Sequence, residues 1–153
     1  MSRGRLILLV EDNPDDVLLT RRAFERSQVP TEFVVAQDGE EALDFLFAAG
    51  RYQERDASVM PEVVLLDLKL PKIDGLGVLQ RVRADRRTRR LPVVILTSSS
   101  EERDLISTYD LGANSYVRKP VDFEEFTAAA RQLGLYWLRL NKPPPPGGSG
   151  EPG

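Results

Sequence analysis

The chain has no cysteine and no histidine among its 153 residues. Without these residues it can form no disulfide and no zinc site built from thiolates and imidazoles. Their absence also excludes every nucleophilic site in which a histidine activates a serine or a cysteine. Chemistry in this protein must therefore rest on carboxylates, hydroxyls, lysine, arginine and a hard metal ion bound through oxygen.

Long apolar runs and an excess of positive charge are also lacking. No run approaches the roughly 20 apolar residues that a membrane-spanning helix needs, and the N-terminus has no small-residue cleavage site. We therefore expect a cytoplasmic protein with no membrane segment. The formal net charge of -3 argues against nucleic acid as a partner. Six arginines fall within residues 81–90, but no aromatic residues lie among them, so this stretch is interpreted as a helix end.

The composition suits one globular domain with a tail. Hydrophobic residues make up 41% of the chain and charged residues 29%, and the length is sufficient to bury a core. Residues 1–140 are predicted to form the domain. Residues 141–153 are rich in proline and glycine and are predicted to form a disordered or polyproline-like tail.

Apolar stretches alternate with amphipathic stretches along the domain. Strands are predicted at residues 5–10, 32–36, 61–67, 92–96 and 115–118. Helices are predicted at about residues 14–27, 39–50, 76–82, 101–110 and 123–137. Strands without polar alternation are typical of a parallel sheet buried on both faces, so the sequence predicts an α/β protein with a doubly wound sheet.

Polar side chains follow four of these predicted strands. Glu11 and Asp12 come after the first strand, Asp67 after the third, Thr97 after the fourth and Lys119 after the fifth. Because the carboxyl ends of parallel strands meet at one edge of a sheet, we expect these side chains to surround one crevice.

Such a crevice would suit phosphoryl chemistry. Clustered carboxylates repel one another unless a cation lies among them, and an oxygen-rich cluster favours Mg²⁺. A threonine hydroxyl and a lysine amine suit the oxygens of a phosphate. Two roles are open for Asp67: it binds the metal only, or it binds the metal and also acts as a nucleophile that forms an aspartyl phosphate. Each residue alone has a plain structural interpretation as a helix cap or a solvated strand end, and only their convergence favours the functional one.

These landmarks strongly resemble a response-regulator receiver domain of two-component signalling. The motifs that carry the resemblance are Glu11-Asp12, Asp67, Pro71 with Asp74-Gly75, Thr97-Ser98 and Lys119-Pro120. It covers residues 5–140 and implies a flavodoxin-like sheet of strand order 2-1-3-4-5 with five helices. Segments 98–104, 114–120 and 133–137 further resemble the lone receivers that partner phytochrome-type histidine kinases in bacteria.

The resemblance implies a role for each polar residue at the predicted edge. Asp67 would accept a phosphoryl group from a kinase phosphohistidine. Mg²⁺ would be held by Asp12, Asp67 and the backbone carbonyl of Lys69, with Glu11, which replaces the commoner aspartate, assisting through water. The chain would not be an enzyme beyond its own phosphorylation and dephosphorylation.

A second group of residues would respond to that phosphoryl group. Thr97 and Lys119 would hold its oxygens, and Tyr116 would be the aromatic residue that rotates as Thr97 moves. The bond between Lys119 and Pro120 would be cis. Because no output domain follows in this sequence, signalling would pass through protein contacts or by handing the phosphoryl group on.

The last predicted helix carries more apolar residues than one face can bury. We expect an interface at Leu135, Tyr136, Trp137 and Leu138, through which two copies pair on the face of the fourth and fifth helices. The alternative is that the helix end packs back on its own domain.

Two other functions stay open at this point. The first is a metal-dependent phosphatase or phosphotransferase for small phosphate esters; such enzymes commonly need a second acid or base near the nucleophile, where this chain has Lys69. The second is a docking module that works without phosphorylation, which would leave the acids, Thr97 and Lys119 without a reason to lie together.

Overall fold

The computed structural model describes residues 5–26, 30–99, 101–119 and 122–142. Within them, five parallel strands form one sheet in the order β2-β1-β3-β4-β5, which confirms the predicted doubly wound fold. The strands are β1 (Arg5–Val10), β2 (Thr31–Ala36), β3 (Val63–Leu66), β4 (Val93–Thr97) and β5 (Ser115–Arg118). The helices are α1 (Pro14–Glu25), α2 (Gly39–Phe47), α3 (Gly75–Ala84), α4 (Glu102–Asp110) and α5 (Phe123–Leu135). A 3₁₀ turn (Gly50–Tyr52) follows α2, and a π-helical segment (Tyr136–Leu140) follows α5.

Four of the five helices begin where a short polar side chain accepts backbone hydrogen bonds, whereas α4 begins after Glu101 without such a cap. Asn13 accepts from the amides of Asp15 and Asp16, and Pro14 is the first helical residue of α1. Equivalent caps start three further helices, at Asp38, Asp74 and Asp122. These caps fix the starts of the helices at the carboxyl edge of the sheet.

The three central strands are buried on both faces, as their unbroken apolar sequences predict. Successive residues of a strand point to opposite faces of the sheet. One face packs its side chains, including Leu8 and Leu66, against α2 and α3. The other packs Ile7 and Leu65 against residues of α1 and α5 such as Phe24 and Phe126. The edge strands β2 and β5 are only partly buried.

The end of α5 corrects the predicted interface at two positions. Trp137 is 8% exposed and Leu138 is 1% exposed, and both belong to the core beneath α1 and α5. Leu138 follows the buried Phe126 and Ala130 at multiples of four residues, which places all three on the same side of the helix. The apolar stripe that a packed helix buries is broad enough to include it. The predicted alternative, that the helix end packs on its own domain, holds for these two residues, whereas Leu135 is partly buried and Tyr136 is 48% exposed.

Part of the arginine-rich stretch is engaged within the domain. The Arg83 guanidinium donates to the carbonyl oxygens of Leu91 at 2.7 Å and Gly112 at 2.9 Å, and burial lowers the pKa of Arg83. Arg87 forms an ion pair with Asp85 at 3.0 Å. Arg83 therefore connects the end of α3 to the segments that carry Leu91 and Gly112, and Arg87 forms a local ion pair just after the helix.

Some predictions fall where the structure offers no description. The end of the first predicted helix at Ser27, the bond to Pro120 and tail residues 143–153 lie outside the described residues. Among the helices of the described residues, none is long and apolar enough to cross a membrane.

Candidate functional site

The carboxyl ends of the strands place the predicted site residues on one edge of the sheet. The register pairs Val10 of β1 with Leu66 of β3, so that Glu11 and Asp67 leave neighbouring strands at the same level. The Asp67 amide donates to the carbonyl oxygen of Val10 at 3.1 Å. The Lys119 amide likewise donates to the carbonyl oxygen of Thr97 at 2.6 Å. Backbone hydrogen bonding thus continues one residue past the strands and fixes the positions from which these side chains project.

The Lys119 ammonium lies among three carboxylates. Its Nζ is 2.8 Å from Asp16 Oδ2 and 3.2 Å from Asp67 Oδ2, and it also pairs with Glu11 Oε1. The side chains of Lys119, Glu11 and Asp67 are 8%, 4% and 9% exposed. Burial alone would lower the pKa of Lys119, but its hydrogen bonds to Asp16 and Glu11 and the charges of Glu11 and Asp67 raise it. Lys119 is therefore held as a cation at the centre of the cluster.

One lysine does not satisfy all the negative charge of this cluster. Burial raises the pKa of Glu11 to about 7, and the charge of Asp67 adds to the increase, although the contact with Lys119 opposes it. The raised pKa means that a negative charge on Glu11 is costly at this position. The cluster therefore favours a further positive charge.

A divalent cation fits the oxygen atoms of this cluster. Carboxylate oxygens of Glu11, Asp12 and Asp67 all lie within 4.8 Å of one another. Glu11 and Asp67 are buried and Asp12 is exposed, so the site has two fixed ligands and one open side. Hard cations such as Mg²⁺ bind carboxylate oxygens and commonly keep water molecules on an open side. Lys69, the remaining predicted ligand, donates its amide to Asp67 Oδ1 at 3.4 Å.

Thr97 and Tyr116 are joined through Ser99. Thr97 is fully buried at the end of β4, and its Oγ1 accepts a hydrogen bond from the Ser99 amide at 3.3 Å. The Tyr116 hydroxyl donates to the carbonyl oxygen of Ser99 at 3.0 Å. Within the described residues, Thr97 makes no hydrogen bond to Asp67, whose carboxylate accepts from Lys119 and from the Lys69 amide.

Sequence reasoning missed two acidic residues at this edge. Asp16 lies in the first turn of α1, where an acidic side chain favours the start of the helix, and it also accepts a hydrogen bond from Lys119. Its position within one turn of Glu11 and Asp12 was the available signal. Asp104 lies on α4, which no motif linked to the site, and it accepts a hydrogen bond from Ser99 at 2.6 Å.

Gly75 is required by a close backbone approach. A Cβ atom at this position would lie 2.3 Å from the carbonyl oxygen of Asp67 and 2.7 Å from the Cα of Leu68. Both neighbours are backbone atoms, so a side chain could be accommodated only by moving the segment that carries Asp67. The Asp74-Gly75 pair at the start of α3 therefore allows the end of β3 to lie close to this helix.

Comparison with known proteins agrees with this geometry. Residues 7–131 match the family described as the response regulator receiver domain. Over 141 residues the chain is 41% identical to the probable methanogenesis regulatory protein FilR2 of Methanothrix harundinacea, covering 92% of this chain and 88% of that protein.

Solved structures of phytochrome-associated and related regulators share the fold. The Mn²⁺-bound form of response regulator Rcp1, a protein of Synechocystis, is 33% identical, with a TM-score of 0.86 over 92% of this chain and 99% of that one. The phosphorylated cyanobacterial phytochrome response regulator RcpA is 35% identical, with a TM-score of 0.87 over 94% of this chain and all of the other (100%).

Proposed function

The chain belongs to the response regulator receiver domain family of two-component signalling, and on this basis we propose that it accepts a phosphoryl group on Asp67 from a histidine kinase. The observation that carries the proposal is the buried cluster in which Lys119 lies 3.2 Å from Asp67, beside Glu11 and Asp12. A carboxylate next to an ammonium and a group of metal-binding oxygens is suited to receive a phosphoryl group.

In the proposed transfer an oxygen of the Asp67 carboxylate forms a bond to phosphorus. The bond between phosphorus and the imidazole nitrogen of the kinase breaks, and its electron pair returns to that nitrogen. Lys119 pairs with a phosphoryl oxygen, and the Thr97 hydroxyl donates to another. Bound Mg²⁺, held by Asp12, Asp67 and the Lys69 carbonyl with Glu11 beside it, would neutralise charge on the transferring group.

Intact mass spectrometry tests this proposal directly. The chain is incubated with Mg²⁺ and acetyl phosphate, or with an autophosphorylated histidine kinase, and we expect the mass of one added phosphoryl group. No adduct with either donor would contradict the proposal. Multiple turnover of a simple phosphate ester would instead favour a small-molecule phosphatase.

Loss of Asp12 should weaken metal binding without unfolding the chain. We expect Mg²⁺ to raise the thermal midpoint of the parent, and Asp12→Asn to require roughly tenfold more Mg²⁺ for the same rise, because one charged ligand is lost. Thermal unfolding across a Mg²⁺ titration measures this. Asp15→Asn is the matched control, since Asp15 is exposed nearby but lies outside the cluster. Equal Mg²⁺ responses in the two variants would argue against a metal site at Asp12.

We also propose that the kinase partner is of the phytochrome type. The support is the similarity to RcpA, which is named as a phytochrome response regulator. The chain is also similar to FilR2, whose name, probable methanogenesis regulatory protein, does not point to a phytochrome. Phosphotransfer rates from a bacterial phytochrome kinase and from an unrelated histidine kinase, measured side by side, distinguish these cases. Equal rates would remove the support for a dedicated phytochrome partner.

A second copy of the chain is the partner we propose for α4. Leu105, Ile106 and Tyr109 lie on one side of this helix and are 38%, 53% and 49% exposed. Tyr136, at the end of α5, is also half exposed. Burying such apolar area between two copies would stabilise a dimer on the face of the fourth and fifth helices.

A charge at Ile106 should therefore disrupt the dimer. We expect Ile106→Asp to sediment as a monomer at concentrations where the parent sediments as a dimer. Leu18→Asp is the control, because Leu18 on α1 has a side chain of the same size as that of Ile106 and a similar exposure of 48%. A parent that sediments as a monomer, or an Ile106→Asp variant that stays dimeric, would contradict the proposed face.

A further inference from the structure

Asp104 contacts two residues that flank the proposed phosphoacceptor site. Its Oδ2 accepts a hydrogen bond from Ser99 Oγ at 2.6 Å and lies 3.7 Å from Lys69 Nζ. Lys69 follows Asp67 by two residues, and Ser99 follows Thr97 by two residues. Asp104 and Lys69 line a cleft of about 370 Å³ together with Asp12. An acidic side chain on α4 therefore faces the same cleft as Asp12, the exposed member of the carboxylate cluster.

The contact with Ser99 is the stronger of the two. The Lys69 side chain is 66% exposed and its ion pair is long, so solvent screens it. The Asp104 side chain is only 13% exposed, and a hydroxyl that donates to a carboxylate at 2.6 Å is a charge-assisted hydrogen bond. The effect of Asp104 should therefore act mainly through Ser99.

Ser99 is held at three atoms. Its amide donates to Thr97 Oγ1 at 3.3 Å, its carbonyl oxygen accepts from the Tyr116 hydroxyl at 3.0 Å, and its hydroxyl donates to Asp104. If Thr97 moves toward a phosphoryl group on Asp67, it either leaves the Ser99 amide or takes Ser99 with it. A residue that fixes Ser99 therefore resists that movement.

We propose that Asp104 is a positioning residue that opposes the phosphorylated state. It does so by holding Ser99 in its hydrogen bonds with Thr97 and Tyr116. This inference rests on the proposed function of Asp67 as phosphoacceptor. Removing Asp104 should thus favour the phosphorylated chain.

The test compares the lifetime of the phosphoryl group in Asp104→Ala, Asp104→Asn and the parent. Each protein is loaded with acetyl phosphate and Mg²⁺, freed of donor, and followed by intact mass. We expect Asp104→Ala to retain its phosphoryl group about fivefold longer or more, at the lower end of typical coupling between two sites. Asp104→Asn, which keeps a neutral hydrogen bond to Ser99, should fall between Asp104→Ala and the parent.

A second measurement does not depend on phosphorylation. In the absence of donor and Mg²⁺, the Ser99 amide of Asp104→Ala should exchange its hydrogen faster than that of the parent, because the segment is less restrained. Ser99→Ala should lengthen the phosphoryl lifetime as Asp104→Ala does, and the double variant should add little, since both changes break the hydrogen bond between Ser99 and Asp104. Ser99→Ala also removes the hydroxyl that accepts from the Glu101 amide at 3.3 Å. Asp110→Ala removes an equal charge from an exposed position of the same helix and should match the parent.

These experiments distinguish a failure of the proposed role of Asp104 from a failure of the proposed function of Asp67. If the parent takes up no phosphoryl group, the proposed function fails and the inference fails with it. If the parent is phosphorylated but the folded Asp104 variants lose the group as fast as the parent or faster, only the inference fails. The inference also fails if Asp110→Ala lengthens the lifetime equally, because a general charge effect would then account for the result.

Discussion

Asp67→Asn should take up no detectable phosphoryl group under conditions in which the parent gains one. The substitution keeps the size of the side chain but replaces the nucleophilic carboxylate oxygen with a neutral amide. The fold should survive, because Lys119 keeps its contacts with Glu11 and Asp16 and one like charge leaves a crowded cluster. Intact mass after incubation with Mg²⁺ and acetyl phosphate provides the comparison, and thermal unfolding shows that the variant is folded.

Asp74→Asn is the matched control for this experiment. Asp74 lies in the same loop and caps α3 by accepting a hydrogen bond from the Gly77 amide at 2.9 Å. Asparagine caps helices as well as aspartate does, so this variant should be phosphorylated like the parent. An adduct that persists in Asp67→Asn would show that another carboxylate accepts the phosphoryl group, and peptide mass mapping would identify it.

The sequence predicted the sheet well because the strands carry their own signal. Unbroken apolar runs such as residues 63–66 are typical of strands buried on both faces, and β1 and β5 begin and end where predicted. Parallel strands bring their carboxyl ends together by geometry alone, so Glu11, Asp12, Asp67 and Lys119 could be expected on one edge before any distance was known. This part of the site follows from topology.

The contacts that depend on side-chain direction could not be predicted in this way. Asp16 reaches Lys119 from the first turn of α1, and Asp104 reaches Ser99 from α4. Neither follows a strand, so no rule about the sheet edge points to them. The sequence predicts an interface at Trp137 and Leu138 because the last helix carries more apolar residues than one narrow face can bury, whereas the structure buries both in the core beneath α1. Such packing is a tertiary property.

Lys119→Met should be the most destabilising single change at the site when Mg²⁺ is absent. It removes the ammonium that pairs with Glu11, Asp16 and Asp67, and leaves two of these carboxylates buried without a counter-charge. Breaking a buried ion pair at one partner typically costs about 3–5 kcal/mol. Urea unfolding in the presence of a chelator measures the change in the free energy of unfolding.

Lys69→Met is the control for Lys119→Met. It makes the same substitution at an exposed lysine, so the difference between the two variants reports the effect of burial. The Lys69 side chain is 66% exposed, and the ion pair of 3.7 Å with Asp104 is its one ion pair within the described residues, so its loss should cost at most about 1 kcal/mol. Similar stabilities for the two variants would mean that Lys119 does not neutralise the cluster.

Adding Mg²⁺ then separates two tasks of Lys119. A divalent cation among Glu11, Asp12 and Asp67 would supply positive charge that the methionine lacks, so Mg²⁺ should stabilise Lys119→Met more than it stabilises the parent. It would not replace a donor that pairs with a phosphoryl oxygen. We therefore expect stability to recover while phosphoryl uptake stays far below that of the parent. Recovery of both together would mean that Lys119 contributes charge neutralisation alone, and that Thr97 and the metal suffice to hold the phosphoryl group.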